Sequence, residues 1–451
     1  MVPSLRFDRG TLRLDDLPRN HGLEHVIWDG RTDCWRAPAF RYRRLLHDLR
    51  GARLPLRDEM RKDLLEPTAA WQNPSLRSYQ QSSLQAWQLH DRCGVVVLPT
   101  GAGKTRVALA AMAEVGKPAV VLCPTRALLA QWLEQLRCWY RGPLGAVGDG
   151  ERTVTPVTVM TFASAYLQMD RLGARFCLVV VDEAHHFGGN RSEALEMCAA
   201  PYRLGLTATA PEPDSQAAFR LNTLIGPVVC EVGLQELVGT HLAKLETVRM
   251  EVRLEDDELR AYHALEAPFA ELRRLYFRAN PRAEFASMVR DLARTPEGRS
   301  AMADHHKACA IASFPREKRA LVQSLLTRHR HQKTLVFTAL ADDAYAVSLD
   351  NLIPVITADI GRAERTEILR SFREGRVRAI VSARVLNEGL DVPDASVGIV
   401  VAGTQGAREY VQRVGRVLRP APGKRALVYE LITTGTLDHA RAVSRWRSHA
   451  A

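Results

Sequence analysis

The sequence predicts an α/β protein of two tandem lobes, each built on a parallel sheet, with a small N-terminal domain ahead of them and a helical insert. Three observations lead there. Continuous apolar runs of strand length alternate with helical stretches between residues 94 and 209, the pattern of buried parallel strands joined by crossover helices. The same rhythm recurs from residue 333 onward. The chain, at 451 residues, also exceeds what one hydrophobic core usually supports, since domains cluster around ~100–150 residues.

Taken in order, residues 1–55 form the small N-terminal domain, closing on a helix around RYRRLLHDL, and residues 56–75, with Pro67 and Pro74, read as a connector. The first lobe is expected over 76–228, where GVVVLPT, PAVVLCPT, VTPVTVMTF, CLVVVDEAHH and YRLGLTAT supply five strands. The second is expected over 229–451, with KTLVFTAL, IPVITADI, VRAIVSARV, SVGIVVAG and RALVYELIT. Within it, EDDELRAYHALEAPFAELRRLYFRAN opens the helical insert, about 255–320, on periodic Leu, Ala and aromatic positions.

Hydrophobic content of 46% with 25% charged residues is ordinary for a soluble globular protein. There is no run of ~18 apolar residues to span a membrane, and MVPSLRFDRGTLRLDD lacks the apolar core of a secretion signal. A cytoplasmic chain without membrane contact is the expectation. The eight cysteines include no C-x-x-C pair and no group of four, which argues against zinc, disulfide and iron–sulfur frameworks. The net charge of +11 favours a polyanionic partner, because each phosphate neutralised releases condensed counterions.

In LPTGAGKT an apolar strand runs into a glycine-rich turn and then a helix, the context a phosphate-binding loop requires. Backbone amides from Thr100, Gly101, Ala102 and Gly103 would surround phosphates, with the helix N-terminus adding positive potential. Lys104 would contact the outer phosphates and Thr105 would hold Mg2+. A glycine-rich turn arises by chance as well; strand, loop, Lys-Thr and helix in succession are far more specific. The strict pattern has a further glycine where Leu98 stands, a relaxation typical of helicases.

VVVDEAHH places two acids at the C-terminal end of a buried strand, where ligands bind in parallel sheets. A lone Asp-Glu there is more often a solvated turn; paired with the phosphate loop it points to nucleotide hydrolysis. Asp182 would bind magnesium and Glu183 would orient or deprotonate the attacking water. His185 would couple this site to Thr207 and Thr209 of LTATAP, small hydroxyl residues ending another strand and reaching toward Asp182 or His185, while His186 reads as a surface residue.

PTGAGKT, PTRALLAQ, DEAHH, TATA, NEGLDVPDA and QRVGRVLRP, in that order, resemble motifs I, Ia, II, III, V and VI of superfamily 2 helicases. The finer texture resembles the XPB family: FDRGT, FRYR, LRSYQ, APYRLGLTAT, LIPVIT, FREGRVRAIVSARVLNEGLDVPDA and REYVQRVGRVLRP span nearly the whole chain. The resemblance implies that both lobes are RecA-like, that ATP and Mg2+ are the cofactors, and that the partner is single-stranded or forked DNA. It implies 3′ to 5′ movement or duplex translocation, in DNA repair, with a repair nuclease partner as in archaeal relatives. Gln80 aligns with the adenine-recognising glutamine, Arg126 with a residue near the nucleic-acid backbone, and Gly389 and Asp391 with contacts to ribose and phosphate. Gln412, Arg416 and Arg419 recur at spacings of four and three, hence on one helical face, and Arg416 and Arg419 match the arginine fingers. With Lys104 and Glu183 on one lobe and these arginines on the other, ATP would close the cleft and ADP reopen it.

Two features depart from the family or add to it. XPB relatives carry an Arg-Glu-Asp element soon after TAT; here Glu212, Pro213 and Asp214 stand in its place, which puts strand separation, and not hydrolysis, in question. In the insert, Arg273, Arg274 and Arg278 beside Tyr276 and Phe277 would grip a backbone and stack a base, or line a solvated basic face. The competing readings are an RNA helicase or restriction-type motor, which share these motifs, and a degenerate ATPase acting only as a binding module.

Overall fold

In TLRLD the alternate leucines, Leu12 and Leu14, are fully buried while the residues between them are half-exposed, as in a strand with one covered face. It is one of five short strands that open the chain: β1 (Ser4–Asp8), β2 (Thr11–Asp15), β3 (Ile27–Asp29), β4 (Cys34–Pro38) and β5 (Arg57–Asp58), with α1 (Tyr42–Gly51) before the last. The computed structural model describes residues 2–19, 21–52, 54–66, 70–188, 192–210, 212, 215–233, 236, 244–383, 395–402 and 425–442. The chain divides into two compact units, Met1–Leu237 and Val238–Ala451. No helix among the described residues is long and apolar enough to cross a membrane.

The N-terminal sheet runs β3-β4-β2-β1-β5, antiparallel except for β5 beside β1. Arg9 and Gly10, both at positive φ, close the β1–β2 hairpin as the two-residue turn that strand twist favours. β5 lies in the segment expected as a connector, and Met60 just beyond it is buried with Leu5, Leu12, Leu45 and Leu49; the connector's first residues therefore serve the sheet. Ala174 and Ala199 of the following α/β part complete that core. A Cβ on Gly10 would lie 2.6 Å from Met197 Cγ, so the hairpin tip presses onto the α/β part, and Arg43 pairs with Asp91 at 3.0 Å.

The rest of the first unit builds α2 (Ser78–Leu89), β6 (Cys93–Val97), α3 (Lys104–Val115), β7 (Ala119–Cys123), α4 (Arg126–Trp139), β8 (Leu144–Gly148), β9 (Glu151–Thr153), β10 (Val157–Thr161), α5 (Phe162–Leu172), β11 (Leu178–Asp182), α6 (Glu193–Glu196), β12 (Tyr202–Thr207), α7 (Gln216–Leu224) and β13 (Val228–Glu231). The sheet order is β13-β6-β12-β11-β7-β10-β8-β9, parallel except at the β8–β9 edge. Every residue of β7, β10 and β11 is buried, as continuous apolar runs covered on both faces require. This order sets β12 between β6 and β11, so the chain leaves the sheet at residues 97, 207 and 182 on three neighbouring strands.

The second unit contains β14 (Lys244–Val252), α8 (Asp256–Ala279), α9 (Phe285–Leu292), α10 (Pro296–Ser313), α11 (Arg316–Arg328), β15 (Thr334–Thr338), α12 (Ala341–Asn351), β16 (Val355–Ile356), α13 (Arg362–Glu374), β17 (Ala379–Ala383), β18 (Val397–Val400) and β19 (Arg425–Thr433). Its sheet, β14-β19-β18-β15-β17-β16, is all parallel. Little in the sequence marks β14, because Lys244, Glu246, Arg249 and Glu251 break up its apolar residues, as charges on an edge strand do; it pairs along its whole length with β19. The helices expected at about 255–320 carry two small cores of their own, one around Tyr262, Ala308 and Ala312 and one around Phe269, Met288 and Leu292. α11 differs: its Val322 and Leu325 pack with the sheet core.

Candidate functional site

The turn after β6 is set by glycine. Gly101 and Gly103 sit at φ +86 and +82, and a Cβ on Gly103 would lie 2.5 Å from Gln80 Nε2. α2 holds this turn from outside: Tyr79 Oη and Gln80 Nε2 both donate to Ala102 O at 2.7 Å, while Gln80 Oε1 accepts from Arg77 N at 2.9 Å. One hydrogen-bonding position remains on each end of the Gln80 amide. Only the adjacency of Tyr79 to Gln80 in LRSYQ hints at this role in the sequence.

Lys104 begins α3, so the first amides of that helix lack intrahelical partners and face the turn. Its Nζ donates to Leu98 O at 3.2 Å, and Leu98 N in turn donates to Thr207 O at 3.0 Å. Thr100 and Thr105 are half-buried at the two ends of the turn, and Ala102 is buried beneath it.

At the end of β11, Asp182 is 7% exposed. Its Oδ1 accepts from Glu183 N at 3.0 Å and its Oδ2 from Trp132 Nε1 at 2.9 Å. Burial, reinforced by the neighbouring Glu183, pushes the Asp182 carboxyl up to about 6, against the pull of Trp132 and Lys104. Glu183 occupies the left-handed region at φ +50, uncommon for a residue with a Cβ. Its Oε2 is buried and accepts no hydrogen bond among the described residues, lying 3.6 Å from His185 Nδ1.

His185 Nδ1 lies 2.9 Å from Thr207 Oγ1, and Thr207 donates its hydroxyl proton to Thr209 O at 2.9 Å. With that proton committed, Thr207 accepts from His185, which places the imidazole proton on Nδ1. Thr209 differs from the expectation that both threonines reach His185 or Asp182. It lies in the turn beyond the strand, where its backbone meets Thr207 and its own buried hydroxyl oxygen finds no partner among the described residues. His186 is exposed, as expected.

Arg126 stands exposed at the first position of α4 and pairs with Asp149 at 2.9 Å. In the second unit the aromatics of the insert are otherwise engaged than expected: Tyr276 donates to Asp291 at 2.7 Å, and both Tyr276 and Phe277 pack against the core around Phe269. Arg274 pairs with Glu271 at 2.8 Å on its own helix, and Arg274 and Arg278 are exposed, Arg273 half-buried. Gly389, Asp391, Gln412, Arg416 and Arg419, and Pro213 and Asp214, lie outside the described residues.

The residues fit a magnesium nucleotide. Asp182 has a donor on each oxygen yet no ion pair consuming it among the described residues, and a buried acidic pair with one unsatisfied oxygen is the donor set a hard cation takes. The turn has the positive φ values and helix N-terminus that phosphate requires.

A parallel sheet carrying this site at its strand ends, with a second parallel-sheet unit after it in the chain, defines a RecA-like helicase core. The family described as Xeroderma pigmentosum group B helicase damage recognition domain matches residues 5–60, Type III restriction enzyme, res subunit matches 73–212, and Helicase conserved C-terminal domain matches 317–421. The chain is 34% identical over 417 residues to a protein named DNA 3′-5′ translocase XPB2 from Sulfurisphaera tokodaii, covering 91% of this chain and 93% of that one. To the DNA 3′-5′ helicase XPB of Mycobacterium tuberculosis it is 29% identical, covering 84% of this chain and 63% of that protein's length. The helicase domain of Pyrococcus furiosus Hef shares the fold, with a TM-score of 0.51 at 18% identity over 83% of this chain and 98% of that one. The chain belongs to the XPB-like family of superfamily 2 DNA helicases.

Proposed function

We propose that this protein is an ATP-dependent DNA helicase or translocase that moves 3′ to 5′ and acts in DNA repair. The observation that carries the reading is the arrangement of Lys104, Asp182, Glu183, His185 and Thr207 at the ends of three neighbouring strands, in a chain of XPB family membership. Lys104 and the amides of residues 100–103 hold the outer phosphates of ATP; Thr105 and Asp182 hold Mg2+; Glu183, whose Oε2 accepts no hydrogen bond among the described residues, orients or deprotonates the attacking water. Bound magnesium supplies neutralisation of phosphate charge. Gln80, whose amide already fixes Ala102, reads the adenine, and Gly389, Asp391 and Gln412 contact the nucleotide. Arg416 and Arg419 stabilise charge on the transferring phosphoryl group. His185 and Thr207, with Thr209, couple hydrolysis to movement along DNA bound at Arg126.

The domain reading accompanies this with two of its bounds moved: the N-terminal domain, expected over 1–55, takes in β5 and Met60 from the expected connector 56–75, and the first lobe, expected over 76–228, takes in β13 through Glu231 from the second lobe, expected over 229–451 with the thumb-like insert. A separate repair nuclease as partner is an expectation carried by the family alone. Translocation without strand parting is a second reading, favoured by Glu212, Pro213 and Asp214 where relatives have Arg-Glu-Asp, and by the name translocase on a relative.

ATP hydrolysis measured with single-stranded DNA, duplex DNA, forked DNA and RNA, alongside displacement of a strand from a 3′-tailed duplex, tests the reading. Stimulation by DNA is expected. Equal stimulation by RNA would favour an RNA motor, and DNA-stimulated hydrolysis without displacement would select the translocase.

A further inference from the structure

Trp132 lies six residues beyond Arg126 on α4, ~9 Å along the helix axis at ~1.5 Å per residue. It is 2% exposed, and its indole N–H donates to Asp182 Oδ2 at 2.9 Å across 50 residues of sequence. An indole nitrogen is a donor only, so a buried Trp needs an acceptor, and the acceptor here is an acidic group of the candidate site. Hydrogen bonds to a carboxylate are the stronger kind. With Glu183 N on the other oxygen, this bond fixes the orientation of the carboxylate and leaves a lone pair on each oxygen.

The same helix reaches the surface at its other end. Thr125 caps it by accepting from Leu128 N at 3.2 Å, and Leu128, Leu129 and Leu136 bury its inner face. Arg126, on the first turn, is exposed and shares its guanidinium with Asp149, a carboxylate that a nucleic-acid phosphate would replace as partner. One rigid helix thus carries a solvent-facing cation at its start and a buried donor to Asp182 two turns later. A hydrogen bond of 2.9 Å is lost when its donor retreats by ~0.7 Å, so small movements of α4 register at the carboxylate.

We propose that Trp132 is a positioning residue that couples occupancy of Arg126 by a nucleic-acid backbone to the orientation of Asp182, with α4 as the connecting rod. The inference rests on the proposed function, since it requires nucleic acid at one end of α4 and a magnesium nucleotide at the other.

Trp132→Phe keeps an aromatic ring and removes the N–H. Binding of a fluorescent ATP analogue is titrated against Mg2+ concentration, with and without single-stranded DNA, under conditions where no turnover is followed; the ratio of DNA-stimulated to basal hydrolysis is measured separately. The variant is expected to need about tenfold more Mg2+ for half-saturation, the lower range for loss of a partner behind a metal ligand. Its DNA stimulation ratio should fall about tenfold. In the cycle with Arg126→Ala, the two losses of stimulation should fail to add, as for residues acting through one element. Should Trp132→Phe not fold, Arg126→Ala decides alone: DNA lowers the Mg2+ requirement of the wild-type chain, and the variant abolishes that shift. Unchanged Mg2+ dependence and stimulation in Trp132→Phe, or strict additivity, overturns the coupling while leaving a wild-type DNA-stimulated ATPase intact. A wild-type chain that binds no nucleotide at any Mg2+ concentration overturns the proposed function and this inference with it.

Discussion

His185 and Thr207 join the ends of two adjacent strands, imidazole Nδ1 to hydroxyl oxygen at 2.9 Å, and so tie the acidic end of β11 to the turn that follows β12. Thr207→Val removes the acceptor at nearly constant volume. A hydrogen bond of this kind contributes about 1–1.5 kcal/mol, so DNA-stimulated kcat should fall about tenfold while ATP affinity is little changed. Steady-state hydrolysis with and without DNA checks it, and an unaltered stimulated rate counts against the tie.

Gly103→Ala meets two obstacles at once: φ of +82 and a Cβ position 2.5 Å from Gln80 Nε2. The left-handed backbone alone costs roughly 1–2 kcal/mol for a residue with a Cβ. Displacing Gln80 also removes one of the two hydrogen bonds to the Ala102 carbonyl, leaving that from Tyr79. Binding of a fluorescent ATP analogue should weaken about tenfold or more by that energy, and Gln80→Ala should partly relieve the Gly103→Ala defect by clearing the clash.

Arg203 is buried among carbonyls. Its guanidinium donates to Ala200 O, Leu195 O and Leu224 O at 3.2, 3.3 and 2.7 Å, and to Cys198 O, gathering the ends of α6 and α7 at the start of β12. Arg203→Met removes the donor from all four carbonyls, of which only Leu195 O keeps a backbone partner among the described residues, Cys198 N, and should destabilise the first unit by about 3 kcal/mol or more. Arg203→Lys, with a compact donor in place of a fork, should recover only part. Urea unfolding of the variants measures both.

Asp343, at the start of α12, is 8% exposed and accepts from Ser313 Oγ. Burial pushes its carboxyl up to about 6, against the Ser313 hydroxyl and the Lys318 ammonium. The unfolded value is lower, about 3.9, so between roughly pH 4 and 6 the folded chain holds more protons, and stability falls as pH rises through that window. Asp343→Asn should therefore stabilise the protein at pH 8, by at most about 3 kcal/mol, with the advantage vanishing toward pH 4. Unfolding midpoints of both proteins across that range give the result; an advantage that grows toward pH 4 would reverse the sign and refute the assignment.

How much was legible in the sequence follows from how local each interaction is. β7, β10 and β11 could be read because strands covered on both faces show as near-continuous apolar runs, interrupted here only by Thr158, Thr161 and Asp182. The phosphate-loop turn could be read because its geometry is made by its own glycines and the helix that follows. β8, with two glycines in LGAVG, and β14, with four charges among its nine residues, gave no such signal. The partner of Trp132 is 50 residues away and no local spacing reveals it; the only hint is that a large aromatic donor on a helix that buries its leucines must find an acceptor. Tyr276 and Phe277 show the converse, since helical periodicity does not tell an aromatic turned toward a neighbouring helix from one offered to solvent.

The measurement closest to the central claim is ATP turnover by Glu183→Gln beside the wild-type chain, with Mg2+ and single-stranded DNA, together with binding of a fluorescent ATP analogue. The account predicts that the variant binds the analogue as well as wild type and loses turnover by at least about 10²-fold, the usual contribution of a general base. A variant that hydrolyses ATP at the wild-type rate would contradict it.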